Sequence, residues 1–289
     1  MREISAFDGV VPALRSCRLQ QRRTYNPEMP TPLTTRERAH LKARAHALEP
    51  VVSVGHAGVS VQRLNSILQS RGIHGVILLP SWDEPDLSAL DWSQFAGIYT
   101  DYIIERPALH SVCPDHYRSL LAALQRLALL GYTQPALFLQ KHQDERLQYR
   151  WGAAFRAFQE SHPNIRPIPP LVVDTFDEDE FARWFRQHKP DVVVGHHTAA
   201  IEWMESAGAQ VPATHGFVSL NIHMRTRPCA GLDLQPRTLG ARSTELLIAQ
   251  LQRNETGIPE WPSTTTIPAR WSEGPTLRAA PLGAVELSA

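Results

Sequence analysis

The stretch from residue 99 to residue 140 constrains the fold most, because it predicts a strand, a helix and a parallel strand in succession. A short apolar strand ends on Asp101, and Asp115 follows a second short strand, where its carboxylate can cap the coming helix. That helix repeats leucines at three- and four-residue spacing, ends at Gly131 and leads to an apolar strand over 136–139. Both acids are therefore expected at strand ends of an α/β unit.

The same alternation of strands and helices extends over most of the chain. Apolar runs predict strands over 51–54, 75–79, 95–100, 171–173 and 191–194. Periodic apolar faces predict helices over 58–71, over 198–207 and from Pro236 onward. Alternating elements of this kind predict a doubly wound α/β fold with parallel sheets.

Charge balance and cysteine content argue against several classes of protein. Lysine plus arginine equals aspartate plus glutamate at 29 each, so no overall positive field attracts nucleic acid or an anionic membrane. The three cysteines, Cys17, Cys113 and Cys229, are far apart and odd in number, which argues against a disulfide framework or a zinc cluster. No apolar run approaches the roughly 18 residues of a membrane span. We therefore expect a cytoplasmic protein with no membrane contact.

Catalytic and cofactor motifs are absent from the sequence. It contains no G-x-G-x-x-G, no Walker loop, no H-E-x-x-H and no G-x-S-x-G. His196 and His197 are adjacent at a strand end, so their side chains point in opposite directions, and no third metal ligand is marked. The sequence therefore gives no motif that supports an enzyme, and we expect no cofactor and no metal.

Several motifs occur in an order that is typical of one family. After V-C-P-D comes a helix that finishes L-G-Y, and P-D-V-V-V-G-H-H, H-G-F-V-S-L-N-I and L-D-L-Q-P-R-T-L-G follow later. From about residue 36 to residue 278 this register resembles the sensor domain of the LacI/GalR (lac repressor) family, which shares its fold with periplasmic sugar-binding proteins. The family's counterparts are V-x-x-D, P-D-[AV]-[IV]-x-x-x-N-D, V-V-G-F-D-D and Q-P-x-x-x-L-G.

The resemblance implies a periplasmic binding protein-like type I fold, in which two Rossmann-like subdomains with parallel sheets are joined by three crossovers. The crossovers are expected near residues 112–115, 232–235 and 263–266. The sensor domain would cover 34–278, with one subdomain over about 34–112 and 236–262 and the other over about 113–233 and 263–278. Residues 1–33, in which four arginines over 15–23 precede three prolines over 27–32, are expected to form an irregular arm or the remnant of a linker, and 279–289 a disordered tail.

Polar and aromatic residues at predicted strand ends make the candidate ligand site. The resemblance points to Asp101, Arg146, Trp151, His196, Asn221 and Gln235, although Arg150 is an alternative to Arg146 as the cleft arginine. Trp82 follows another strand, where open α/β sheets bind ligands. Sugars bind to such sets, because their hydroxyls need donors and acceptors and their C–H faces need an aromatic plate. Asp115 is interpreted as a helix cap instead. His196 stands where the family has Asn, and Asn221 where it has Asp, so an acid is lost.

One segment resembles the family's DNA-binding recognition helix. Residues 57–69 read A-G-V-S-V-Q-R-L-N-S-I-L-Q, close to A-G-V-S-x-x-T-V-S-R-V-L-N. Strands are predicted immediately before and after it, whereas a helix-turn-helix headpiece needs helices there. We interpret it as a sensor-domain helix, so the chain is expected to lack a headpiece.

The resemblance implies effector sensing and dimerisation for transcriptional regulation. The expected partners are a small-molecule effector, a sugar or sugar derivative, and a second copy in a homodimer, with operator DNA bound only if a headpiece is supplied. The alternative is a solute-binding protein of a sugar transport system, which an export signal would favour. A sugar-acting enzyme is a third class.

Overall fold

The computed structural model describes residues 51–53, 60–82, 87–102 and 106–279. The predicted arm over 1–33 lies outside these ranges, as does the tail beyond Ala279. None of the described helices is long and apolar enough to cross a membrane.

The first sheet has five parallel strands in the order β1-β2-β3-β4-β10. They are β1 Val51–Ser53, β2 Gly75–Leu78, β3 Ala96–Tyr99, β4 His110–Pro114 and β10 Thr264–Ile267. All residues of β2 and β3 are buried, as expected when helices cover both faces of a parallel sheet. We call this sheet and its helices the first lobe.

The second sheet has six strands in the order β11-β9-β8-β7-β5-β6, and only β11 is antiparallel to its neighbour. They are β5 Pro135–Gln140, β6 Leu171–Val173, β7 Val192–Gly195, β8 Gly216–Ser219, β9 Ala230–Asp233 and β11 Arg270–Ser272. We call this sheet and its helices the second lobe.

The described α-helices cover the faces of the two sheets. They are α1 Val61–Ser70, α2 His116–Leu129, α3 Lys141–Glu145, α4 Arg150–Ser161, α5 Glu178–His188, α6 Ala200–Ser206 and α7 Pro236–Gln252. In the first lobe, Leu68 of α1 packs against one face of the sheet and Leu247 of α7 against the other. In the second lobe, Leu124 and Phe155 of α2 and α4 cover one face, and Phe181 of α5 covers the opposite one. The interpretation of α1 as a sheet-packing helix is confirmed.

The chain passes between the sheets three times: after β4, between β9 and α7, and between β10 and β11. The first two passages agree with the predicted positions. The third lies at Pro268 and Ala269, beyond the predicted segment 263–266, because Thr264–Ile267 pairs with Ser111–Pro114 in the first sheet. The last two strands, β10 and β11, thus belong to different sheets and are separated by a proline that has no N–H to donate. Both lobes belong to one compact unit.

Candidate functional site

An ion pair joins the two lobes where strands of both sheets end. Asp101 follows β3 in the first lobe, and Arg146 ends the short helix α3 that follows β5 in the second. Arg146 Nη1 lies 2.8 Å from Asp101 Oδ2, and the same nitrogen donates to the carbonyl of Ser81 at 2.6 Å. Burial raises the pKa of Asp101, although the Arg146 guanidinium opposes the rise. The cleft between the lobes is therefore bridged by its own residues.

Trp82 lies beside this ion pair. His142 Nε2 is 2.8 Å from the Trp82 carbonyl oxygen, and the two ring centroids are 4.8 Å apart. The Arg146 guanidinium carbon lies 5.9 Å from the Trp82 ring, within the range of a cation–π contact. The indole is 49% exposed. Three of the predicted site residues, Trp82, Asp101 and Arg146, are thus brought together.

Four aromatic rings continue the site inward from Asp101. We call them the ring cluster: Tyr102, His116, Trp151 and His196. The centroids of neighbouring rings are 5.7 Å apart for Tyr102 and His116, 4.7 Å for His116 and Trp151, and 6.0 Å for Trp151 and His196. The cluster includes two more of the predicted site residues, Trp151 and His196.

Four polar atoms of the ring cluster are buried and unpaired. Trp151 Nε1, His116 Nδ1 and both ring nitrogens of His196 have no hydrogen-bond partner in the part of the chain that the structure describes. Burial, together with the charges of nearby groups, lowers the pKa of His116 to about 3. Burial and the charge of Arg146 lower the pKa of His196 to about 4. Both imidazoles are therefore neutral at pH 7.

Arg150 stands between the ring cluster and a cavity. Its guanidinium lies 3.8 Å above the ring of Tyr102, whose hydroxyl donates to the carbonyl of Pro114. Arg150 Nε is buried without a partner among the described residues. The cavity, about 410 Å³ in volume, is lined on one side by Asp101, Tyr102 and Arg150 and on the other by the hydroxyl-bearing Thr264 and Thr266. Ligand sites in proteins reach this size.

The last two predicted site residues make local contacts instead. Asn221 Oδ1 accepts a hydrogen bond from the backbone N–H of His223 at 3.1 Å, which caps a short turn. Gln235 Nε2 donates to the carbonyl of Pro268 at 2.7 Å, so it joins the second crossover to the third. In the described hydrogen bonds neither residue contacts Asp101 or Arg146. No group of three or more potential metal-ligating side chains occurs among the described residues.

His116 is a site residue that the sequence did not reveal. It is 4% exposed and follows Asp115, whose predicted role as a helix cap is confirmed by a hydrogen bond from the backbone N–H of Arg118 at 3.0 Å. The surroundings of a histidine in the first helical turn after a crossover depend on the angle between the lobes. No local sequence pattern encodes that angle. The only signal available was its place beside a strand-end acid.

The carboxylate of Asp144 positions Trp151. It accepts hydrogen bonds from the backbone N–H of Trp151 at 3.1 Å and of Gly152 at 3.3 Å. A Cβ at position 152 would lie 2.7 Å from Asp144 Oδ2, so glycine allows the carboxylate to approach the helix start. The carboxylate therefore caps α4 from outside the helix.

We expect Asp144→Ala to lower the free energy of unfolding by about 1–3 kcal/mol, because two buried N–H groups lose their acceptor. Urea denaturation measures the loss, and Trp151 fluorescence should change with it. Asp177→Ala is the matched control: Asp177 caps α5 by accepting from the backbone N–H of Glu180 at 2.8 Å, and none of its described contacts involves the cleft. Two results together would contradict the positioning role: equal losses of stability in the two variants, and no fluorescence change that is specific to the Asp144 variant.

Comparison with solved structures identifies proteins with a similar fold. The lactose repressor bound to an anti-inducer superposes with a TM-score of 0.56 at 18% identity, covering 83% of this chain and 93% of that one. A LacI family regulator from Enterococcus faecium with bound ribose gives 0.53 at 18% identity, covering 78% and 86%. A periplasmic binding protein/LacI regulator from Alkaliphilus metalliredigens with D-xylulofuranose gives 0.56 at 14%, covering 76% and 83%.

No protein-family model matches the sequence, and no curated protein is similar to it. The structural similarity covers three quarters or more of the chain and includes both lobes. The chain therefore has the two-lobed fold of LacI-type sensor domains, which is also the periplasmic binding protein-like fold.

Proposed function

We propose that this chain is the effector-sensing and dimerisation domain of a LacI/GalR-type transcriptional regulator, with no catalytic activity of its own. One observation carries the proposal: buried polar groups of both lobes meet in the cleft, led by the Asp101–Arg146 pair. Two structures of the same fold are described with a bound sugar. A small polar ligand in this cleft, a sugar or sugar derivative, is the effector that this arrangement supports.

The bridging ion pair gives the ligand a way to act on the lobes. Arg146 Nη1 donates both to Asp101 and to the carbonyl of Ser81. A ligand that binds the side chain of Arg146 or of Asp101 therefore competes with an interlobe contact. A ligand can shift the angle between the lobes only by as much as it prefers one angle over another. In a homodimer that angle would set the spacing of attached DNA-binding headpieces. Operator binding would need such a headpiece in addition to this sensor domain.

A thermal-shift screen against sugars and sugar derivatives tests the proposal. A ligand at 100 times its dissociation constant is expected to stabilise the native state by about 2.7 kcal/mol. Asp101→Ala and Arg146→Ala should remove that stabilisation, whereas Asp177→Ala should only lower the starting melting temperature. A ligand shift that survives both cleft substitutions would show that the site is elsewhere.

The alternative function is solute binding for a sugar transport system, and the fold alone is compatible with it. A cytoplasmic, dimeric regulator and an exported, monomeric binding protein differ in their assembly. We expect sedimentation equilibrium to give twice the chain mass at micromolar concentration. A monomer with intact ligand binding would favour the transport function.

A further inference from the structure

The unpaired polar atoms of the cleft are mainly hydrogen-bond donors. Trp151 Nε1 and Arg150 Nε can only donate, and both are buried without a partner among the described residues. A neutral imidazole carries one donor and one acceptor, and a second donor if it is protonated. Since buried polar groups are normally hydrogen-bonded, this set requires an acceptor-rich partner.

The charges around the ring cluster leave one positive charge without an acidic partner. Arg146 is paired with Asp101, but within the described part of the chain the guanidinium of Arg150 contacts the Tyr102 ring and the side-chain amide oxygen of Gln148 and no acid. Burial raises the pKa of both Tyr102 and Cys113, so these groups are neutral.

The nearby acids are engaged elsewhere. The carboxylate of Asp115 receives the backbone N–H of Arg118 at the start of α2, and that of Asp144 receives two N–H groups at the start of α4. Neither carboxylate makes a described ion pair with an arginine of the cleft. Among the described residues of the cleft, no carboxylate therefore balances the charge of Arg150.

We propose that the effector carries an oxyanion, a carboxylate or a phosphate, that Arg150, Trp151 and the two imidazoles of the ring cluster bind. This inference rests on the proposed function and specifies the chemical class of its ligand. An oxyanion supplies only acceptors, which is the chemistry that both obligate donors need. Arg150 also lines the cavity of about 410 Å³, which accommodates the remainder of a monosaccharide-sized molecule.

Binding of an oxyanion should be accompanied by proton uptake. Burial keeps both His116 and His196 neutral in the unliganded protein, and the charge of Arg146 near each of them and of Arg150 near His116 adds to the effect. A negative charge placed beside them raises their pKa and favours the doubly donating imidazolium. Each proton taken up makes the affinity rise by up to about tenfold for each unit that the pH falls.

The test compares a neutral sugar with its acid and its phosphate in two series: ribose, ribonate and ribose 5-phosphate, and glucose, gluconate and glucose 6-phosphate. Thermal shift ranks them, and calorimetry at pH 7 in Hepes and in Tris measures the protons taken up. We expect at least one anion to stabilise the protein more than its neutral counterpart, with proton uptake. The acid and phosphate arms distinguish the two oxyanions.

Variants of the full chain complete the test. Arg150→Gln should weaken binding of the anion by roughly ten- to hundredfold, because a charge-assisted hydrogen bond is lost. His196→Asn should reduce the proton uptake. Arg242→Gln, on an exposed ion pair of α7, should change neither. If only the neutral sugars stabilise the protein, the oxyanion proposal is wrong and the proposed function stands. If no member of either series stabilises it, both the oxyanion proposal and the proposed function are contradicted.

Discussion

Arg146→Met is expected to lower the free energy of unfolding by about 3–5 kcal/mol at pH 7, because it leaves the buried carboxylate of Asp101 without its partner. The side chain of Asp101 is only 4% exposed and that of Arg146 18%, so water cannot take the place of the lost contact. The substitution also removes the bond to the Ser81 carbonyl. Urea denaturation at fixed protein concentration measures the change.

The double variant Asp101→Asn with Arg146→Met distinguishes the loss of the ion pair from the cost of leaving one buried charge unpaired. Removing both charges should recover much of the loss, since no uncompensated buried charge remains. Arg242→Gln is the control for loss of an arginine: its pair with Glu245 is exposed on both sides, and such pairs contribute about 0–1 kcal/mol. A loss below 1 kcal/mol for Arg146→Met would show that the interlobe ion pair is not formed in solution.

Acid should destabilise the protein steeply, starting from about pH 6.5. His116 and His196 have pKa values of about 3 and about 4 in the folded chain, against 6.5 in their ordinary state. Their stabilising contribution is complete above pH 6.5. It is lost as the pH falls, because the unfolded chain takes up protons that the folded chain does not. Together they should remove about 2.7 kcal/mol per pH unit between pH 6 and pH 4.

His196→Gln isolates one of the two histidines. As the pH falls over the same window, the free energy of unfolding of the parent should decrease faster than that of the variant, by about 1.4 kcal/mol per pH unit. Asp101 and Asp144, whose pKa values burial raises, act with the opposite sign, but they are common to both proteins and cancel in the comparison. Parallel stability curves for the two proteins would contradict the buried neutral imidazole at position 196.

The alternation of strands and helices was predictable from sequence because each element carries its own apolar period. The strand over Leu171–Val173 and the helix beginning at Pro236 occur where the pattern placed them. So does the buried strand from Gly75, which ends one residue earlier than predicted, at Leu78. Local burial and capping determine such features, and both are written in consecutive residues.

The parts that could not be predicted depend on residues distant in the chain. The position of the third crossover follows from the pairing of β10 with β4, about 150 residues away, and not from any local pattern. The same holds for the ring cluster, in which His116 and His196 come from different strand ends. The contacts of Asn221 and Gln235 likewise depend on turns whose geometry a motif does not specify.

The last crossover consists of Pro268 and Ala269, and hydrogen bonds fasten it to the others: Gln235 donates to the Pro268 carbonyl, and the N–H of Ala269 donates to Ser119 at the start of α2. Three chain segments clasped side by side form a single pivot. A change in their relative geometry is therefore expected to alter the angle between both lobes at once.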